Sequence, residues 1–248
     1  MFITLGRLPD HPNAIARAGQ LAGMAPSDAA RMLTGAFPRI LLRAAADPEA
    51  LVASFAEEGF LAWATDPAQI PTDDHRIVVR GLTWTEDGLL AQDAHGTVHA
   101  CAFTTVRLIQ RGARTRMSTE VEKTTTRKLD LGMAVLSGGL IMTKKVTHTA
   151  ERITHAKEPF LLLQREDGAP DLMVYEHRIS YQCLGAEMGP ATLANFGLLA
   201  AKFKAFCLQA SLDDRVGRPG FVSGLPLLGV DPVDLGLLLV SEAQRRGC

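Results

Sequence analysis

Between Thr104 and Pro159 the chain has no Phe, Tyr or Trp. Single-stranded nucleic acid is bound largely by stacking bases on aromatic rings, so the gap argues against a nucleic-acid partner for this stretch. Four cysteines, Cys101, Cys183, Cys207 and Cys248, form no CxxC pair. That excludes a zinc ribbon, a thioredoxin-type redox motif and a dense disulfide framework. The phosphate-cradling patterns GxxxxGK[ST] and GxGxxG are absent, as are GxSxG, HExxH and SxxK, so neither a nucleotide loop nor a known nucleophile or metalloprotease signature is present. No apolar run reaches the roughly 20 residues of a spanning helix. The longest candidate, Leu131–Met142, is interrupted by Gly132, Gly138 and Gly139. The start, MFITLGRLPD, meets a charge and a proline too early for a secretory signal. These absences lead to the expectation of a cytoplasmic protein with no cofactor.

What is present is ordinary in bulk and uneven in detail. The 248 residues are 47% hydrophobic and 21% charged, with a net charge of −1, enough for one large or two ordinary domains with a real core. Within residues 107–157, however, eleven Lys/Arg face four Asp/Glu, a local net of +7. In the middle of that stretch lies the uncharged run LGMAVLSGGLIM, bracketed by KTTTRK and TKK. A basic segment around an apolar tip suggests a surface that meets something anionic, or a second protein.

Patterning divides the chain into four parts. Residues 1–66 read as strand, helix, helix, strand, helix, strand: Phe2–Leu5 is apolar, Pro12 opens a helix stopped at Gly23, and Ser27 caps a second. Arg39–Arg43 is a strand, Asp47-Pro48-Glu49 starts a third helix stopped at Gly59, and Phe60–Ala64 closes the unit. Residues 67–75 form a Pro/Asp-rich linker. Residues 76–210 alternate with period two in short antiparallel strands, the first over Arg76–Leu82. They end in an amphipathic helix from Pro190 to Cys207, with Leu193, Phe196, Leu199, Phe203 and Phe206 on one stripe. Residues 211–248 form an irregular tail and a terminal helix from Asp231-Pro232.

The β-α-α-β-α-β order, carried by SDAARMLTGAFPRIL and DPEALVASFAEEGF, resembles the C-terminal domain of the bacterial ribosomal stalk protein. That resemblance implies a bacterial protein with a small α+β domain at its N-terminus. In the stalk family, lysines on the first two helices dock translational GTPases. The corresponding positions here carry Ala16, Ser27 and Ala30, so the resemblance implies the fold without that contact. Residues 76–210 are similar in architecture to a pleckstrin-homology-like domain, a barrel-like set of antiparallel strands closed by a packing helix. The expected class is therefore α+β.

The residues expected to carry function are Lys123, Arg127, Lys128, Lys144 and Lys145, with Leu131, Leu136, Leu140 and Ile141 at the apolar tip. Five such cations, each worth about 1 kcal/mol near an anionic leaflet, would suffice for reversible attachment. An equally simple reading makes the tip an interface with another copy or another protein. His95, His99 and Cys101 are the only compact set of metal-ligand types, and a zinc site needs three or four converging ligands. A surface histidine with a partly buried cysteine explains the same residues. The competing class is an enzyme whose site is assembled from scattered residues such as His99, Cys101, His177 and Asp171. Asp73-Asp74 and Asp213-Asp214 lie beside turn formers and read as solvated or capping carboxylates. The leading expectation is a non-catalytic binding or scaffold protein, self-associating or docking on an anionic surface.

Overall fold

Local signals in the first 66 residues build three strands and three helices in the computed structural model. The structure describes residues 1–43, 47–129, 143–218, 220–222, 225 and 229–248, with side chains described outside 42–43, 116–129 and 143–155. The elements are β1 (Phe2–Arg7), α1 (Ala14–Leu21), α2 (Pro26–Met32), β2 (Arg39–Arg43), α3 (Pro48–Glu57) and β3 (Leu61–Thr65). Asp47 caps α3 by accepting a hydrogen bond from the Ala50 amide at 3.0 Å. At the other end Gly59 takes a left-handed φ of +79° and the Phe60 amide returns to the Phe55 carbonyl at 3.0 Å, the helix stop that a residue lacking Cβ permits. For α2 the expectation is corrected. Pro26 occupies its first turn and Ala25 precedes it with no side-chain cap, so the proline and not Ser27 sets the start.

β1 is central in the first sheet, antiparallel to both neighbours in the order β2-β1-β3. Its residues alternate between two cores, as a strand buried on both faces must. Ile3 and Leu5 join Ala18, Ala29 and Phe55 under the helices, while Phe2 joins Ile40 and Leu235 on the opposite side.

Past two short 3-10 turns, Pro67–Gln69 and Asp73–His75, come β4 (Ile77–Val78), β5 (Gly81–Trp84), β6 (Gly88–Gln92) and β7 (Val98–Ala102). The single strand expected over Arg76–Leu82 is divided. The Val79 amide bonds to the Met173 carbonyl and the Arg80 amide to the Gln92 carbonyl, so the chain changes sheets between those two residues. β5, β6 and β7 form an antiparallel meander. The other sheet uses β8 (Val106–Leu129), β9 (Thr143–Arg165), β10 (Leu172–Tyr175) and β11 (Ser211–Asp213) in the order β11-β8-β9-β10-β4. It is mixed where all-antiparallel strands were expected, because β4 runs parallel to β10 and β11 parallel to β8. Among the described strands no sheet closes into a barrel; the class is α+β.

Two more helices, α4 (Thr192–Phe206) and α5 (Pro232–Arg245), cover the two faces of this sheet. Leu161, Leu163, Leu172 and Val174 pack with Phe196, Leu199 and Phe203 of α4. The residues between them, Phe160, Leu162, Met173 and Tyr175, pack with Val233, Leu237 and Val240 of α5. Burial on both sides is why FLLL and LMVY read as unbroken apolar runs. α5 also sends Leu235 and Leu239 to the core that holds Phe2 and Ile40, so the terminal helix is wedged between the two sheets. The expected stripe on α4 is mostly inward: Phe206, though 44% exposed, stacks on Phe103 at 5.2 Å, whereas Leu193 is 64% exposed and Asn195 is buried. Residues 1–114 and 159–248 together make one compact unit, and Thr115–Glu158, the distal parts of β8 and β9 with the residues joining them, make a second.

Candidate functional site

The division into two units bears directly on the basic stretch. Lys123, Arg127 and Lys128 lie on β8 and Lys144 and Lys145 on β9, all within the 115–158 unit. Their side chains, and Leu131, Leu136, Leu140 and Ile141 altogether, lie outside what the structure describes. Within 115–158 there are eight Lys/Arg and five Asp/Glu, a net of +3. Arg107, Arg111 and Arg114 belong instead to the larger unit, and two of them have work there.

That work is a polar seam between the first part of β8 and α5. Arg107 donates to the Ser241 hydroxyl at 2.9 Å, Gln110 to the Leu237 carbonyl at 3.0 Å, and Arg114 to Asp234 at 2.8 Å and Asp231 at 3.0 Å. Successive contacts run down the strand and back up the helix, about one helical turn at a time. Asp234 is 3% exposed and also accepts from Arg76, itself 3% exposed, at 2.5 Å. Asp73 faces the same group: it accepts the Tyr175 hydroxyl proton at 2.5 Å and lies 3.3 Å from Arg76. Arg178 stacks over the Tyr175 ring, 3.9 Å from its centroid.

The electrostatics follow from burial and pairing. Burial opposes the charge on Arg114, and the hydrogen bond and charge of Asp234 outweigh it, so its pKa is raised. Burial and the bond to Asp73 push the Tyr175 phenol up, so it remains a neutral donor. Such an arrangement holds elements in register: each of these side chains has at least one partner, while Arg76 Nε, Arg114 Nε and Gln110 Oε1 find none among the described residues. Asp73 corrects the expectation of a solvated or capping carboxylate. Asp213 is buried against Arg215 at 2.7 Å and so is not solvated, but it does cap the turn that follows, accepting the Arg215 amide at 2.9 Å. Sequence spacing gives no signal for a pair such as Arg76 and Asp234, which are 158 residues apart. The one available hint is an aspartate inside the apolar helix DPVDLGLLLV.

The metal-ligand candidates go to separate tasks. His99 and Cys101 do share the inner face of β7, but the His99 ring pairs with Asp93 at 3.1 Å. The His95 amide donates to the other Asp93 oxygen at 2.8 Å. Cys101 is buried among apolar residues, its thiol pKa raised by that burial. Among the described residues no three His, Cys, Asp or Glu side chains converge as metal ligands. Of the scattered set, His177 is exposed beside Glu176. Asp171 accepts the Arg165 amide at 2.9 Å, and burial raises its pKa.

Surface cavities formed by described residues include three of note. One of about 610 Å³ lies beside α1, lined by Pro9, Arg17, Glu58 and Phe60 among others. A second, about 360 Å³, lies between residues 68–76 and Asp171. The third, also about 360 Å³, lies on the outer face of the β5-β6-β7 meander near Leu90 and Val98. Among the described residues no helix is long and apolar enough to cross a membrane. No family model matches the chain, and no curated protein or solved structure matches it.

Proposed function

We propose that this chain is a non-catalytic scaffold or binding protein whose 115–158 unit mediates association, first of all with another copy of itself. One observation carries the reading. Two adjacent strands of 24 and 23 residues have their distal parts in a unit separate from the rest of the chain, and the bracketed apolar run 131–142 lies between those strands in sequence. Strands in globular proteins are usually 3–10 residues long. A two-stranded ribbon on its own is marginal in water, and packing against a partner is the usual remedy. The seam from Arg107, Gln110 and Arg114 to α5 supports the same reading, since it anchors the root of β8 to a buried helix.

Light scattering coupled to size exclusion tests it. The intact chain elutes as a dimer or larger species, and a chain lacking Leu131–Met142 elutes as a monomer. Monomers in both cases would refute the reading. The second reading, docking on an anionic surface, is favoured by Lys123, Arg127, Lys128, Lys144 and Lys145 flanking the run. The net of +3 left to the unit weakens it. Co-sedimentation with anionic vesicles should fall when Lys144 and Lys145 are both changed to Glu; equal sedimentation of the two proteins would remove this version. The enzyme or metal-site alternative draws no support from the separate partners of His99, Cys101, His177 and Asp171.

The N-terminal β-α-α-β-α-β order supports the ribosomal-stalk likeness as a reading of fold, with no GTPase contact carried over at Ala16, Ser27 and Ala30. The pleckstrin-homology-like likeness enters only as α4 laid across a sheet.

A further inference from the structure

The cavity beside α1 stands apart from everything above, and its lining is chemically divided. Phe60 and Ala14 are buried, and with Pro9 they give it an apolar floor. Its rim carries one cation and one anion, Arg17 and Glu58, paired at 2.5 Å. Arg17 also donates to Gln20 at 3.1 Å. His11 lies on the rim as well, with Nδ1 accepting from the Asn13 amide at 3.2 Å, which leaves Nε2–H as its donor in the neutral tautomer. Gly59 brings these parts together, because its left-handed φ turns the chain sharply enough to present both Glu58 and Phe60 to the same space. At about 610 Å³ the cavity lies within the range of small-molecule sites, which combine apolar walls with a few polar groups.

We infer that this cavity binds a free α-amino acid with an apolar side chain. A rim of one positive and one negative group has no preference for a simple anion or a simple cation. It does match a ligand carrying both charges on one carbon. The ligand carboxylate would take the Arg17 guanidinium and its ammonium the Glu58 carboxylate, with the side chain over Phe60, Ala14 and Pro9. The existing pair is an obstacle of small height. Arg17 and Glu58 side chains are 47% and 37% exposed, and ion pairs this open to solvent contribute little to the fold. Splitting the pair therefore costs little, and the two charge-assisted bonds to the ligand come with burial of the ligand's apolar side chain on the floor. The site is independent of the 115–158 unit and stands whether or not the chain self-associates.

Calorimetric titration of the full chain tests it, using L-phenylalanine, N-acetyl-L-phenylalanine and L-phenylalaninamide. The parent amino acid is expected to bind saturably at millimolar concentration or below. Each derivative, lacking one charge, should bind at least about tenfold more weakly, as should the parent to Arg17→Gln and to Glu58→Gln. Both variants alter exposed side chains, and circular dichroism should show an unchanged fold. The inference is overturned if L-phenylalanine gives no saturable heat. Equal binding of all three probes, or undiminished binding to both variants, overturns it too.

Discussion

Removing the carboxylate of Asp234 should do more damage than any other single change in the polar seam. Its side chain is 3% exposed and accepts from Arg76 at 2.5 Å and from Arg114 at 2.8 Å. Asp234→Ala leaves the 3%-exposed Arg76 guanidinium with Asp73 at 3.3 Å as its remaining carboxylate. Losing one partner of a buried pair costs about 3–5 kcal/mol, because the other charge remains out of water. For a chain of this size that corresponds to a melting temperature lower by about 6–20 °C. Asp231→Ala is the internal comparison. Asp231 caps α5 through the Val233 amide at 2.8 Å and meets Arg114 at 3.0 Å, but its side chain is 37% exposed. Its loss should cost about 1–2 kcal/mol, the value of a helix cap. Urea unfolding followed by circular dichroism measures both. A third protein, with Arg76→Met and Asp234→Leu together, should recover part of the loss, since no buried Arg76 charge is then left behind, while Arg114 loses Asp234 in both variants and keeps Asp231 at 3.0 Å. The reasoning is refuted if Asp234→Ala costs under about 1 kcal/mol, the value of an exposed pair.

Arg39 is buried with no carboxylate at ion-pair distance among the described residues, donating only to the carbonyls of Phe221 at 3.3 Å and Gly220 at 3.4 Å. Its Nε finds no partner there, and burial lowers its pKa. Arg39→Met should therefore be at least as stable as the parent in urea, and a loss above about 2 kcal/mol would contradict this. Burial raises the folded pKa of Asp171 above its ordinary 3.8, so the folded state holds a proton that the unfolded chain releases first. Stability then falls as pH rises through that interval. Asp171→Asn, which keeps the acceptor for the Arg165 amide, should be the more stable protein at neutral pH. The advantage should vanish below the ordinary carboxylate range; melting curves across pH check both halves. Gly59→Ala should cost about 1–2 kcal/mol in the same unfolding assay, because an L side chain is strained at its φ of +79°. No change on that substitution would mean that the turn readily relaxes.

Much of the N-terminal region is legible because its signals are local. Asp47, Pro48 and Gly59 fix the ends of α3 within a turn of themselves, and the strand–helix order follows. The terminal helix is equally local at its start, where Asp231 and Pro232 do the same. Its destination is not, because packing between two sheets depends on residues as far apart in sequence as Phe2 and Tyr175. The division at Val79–Arg80 is invisible for a related reason: Arg76–Leu82 keeps a single strand pattern while its hydrogen-bond partners change. The stripe on α4 finds the inner face at Phe196, Leu199 and Phe203, and half-exposed Phe206 still stacks on Phe103 at 5.2 Å; Leu193 misleads because α4 is apolar on most of its circumference. The seam escapes notice because Arg76, Arg114 and Asp234 gain meaning only when three distant segments meet. The basic stretch is legible as composition, but the chain divides it after Arg114, and charge counting alone does not see that boundary.

The most direct test replaces residues 115–158 by a two-residue turn joining Arg114 to Pro159, and measures mass by light scattering alongside the melting temperature. A folded, monomeric product with the parent's melting temperature, from a parent that self-associates, is the expected result. An unfolded product, or one that still associates, would contradict the claim that this unit serves association and not the fold of the rest.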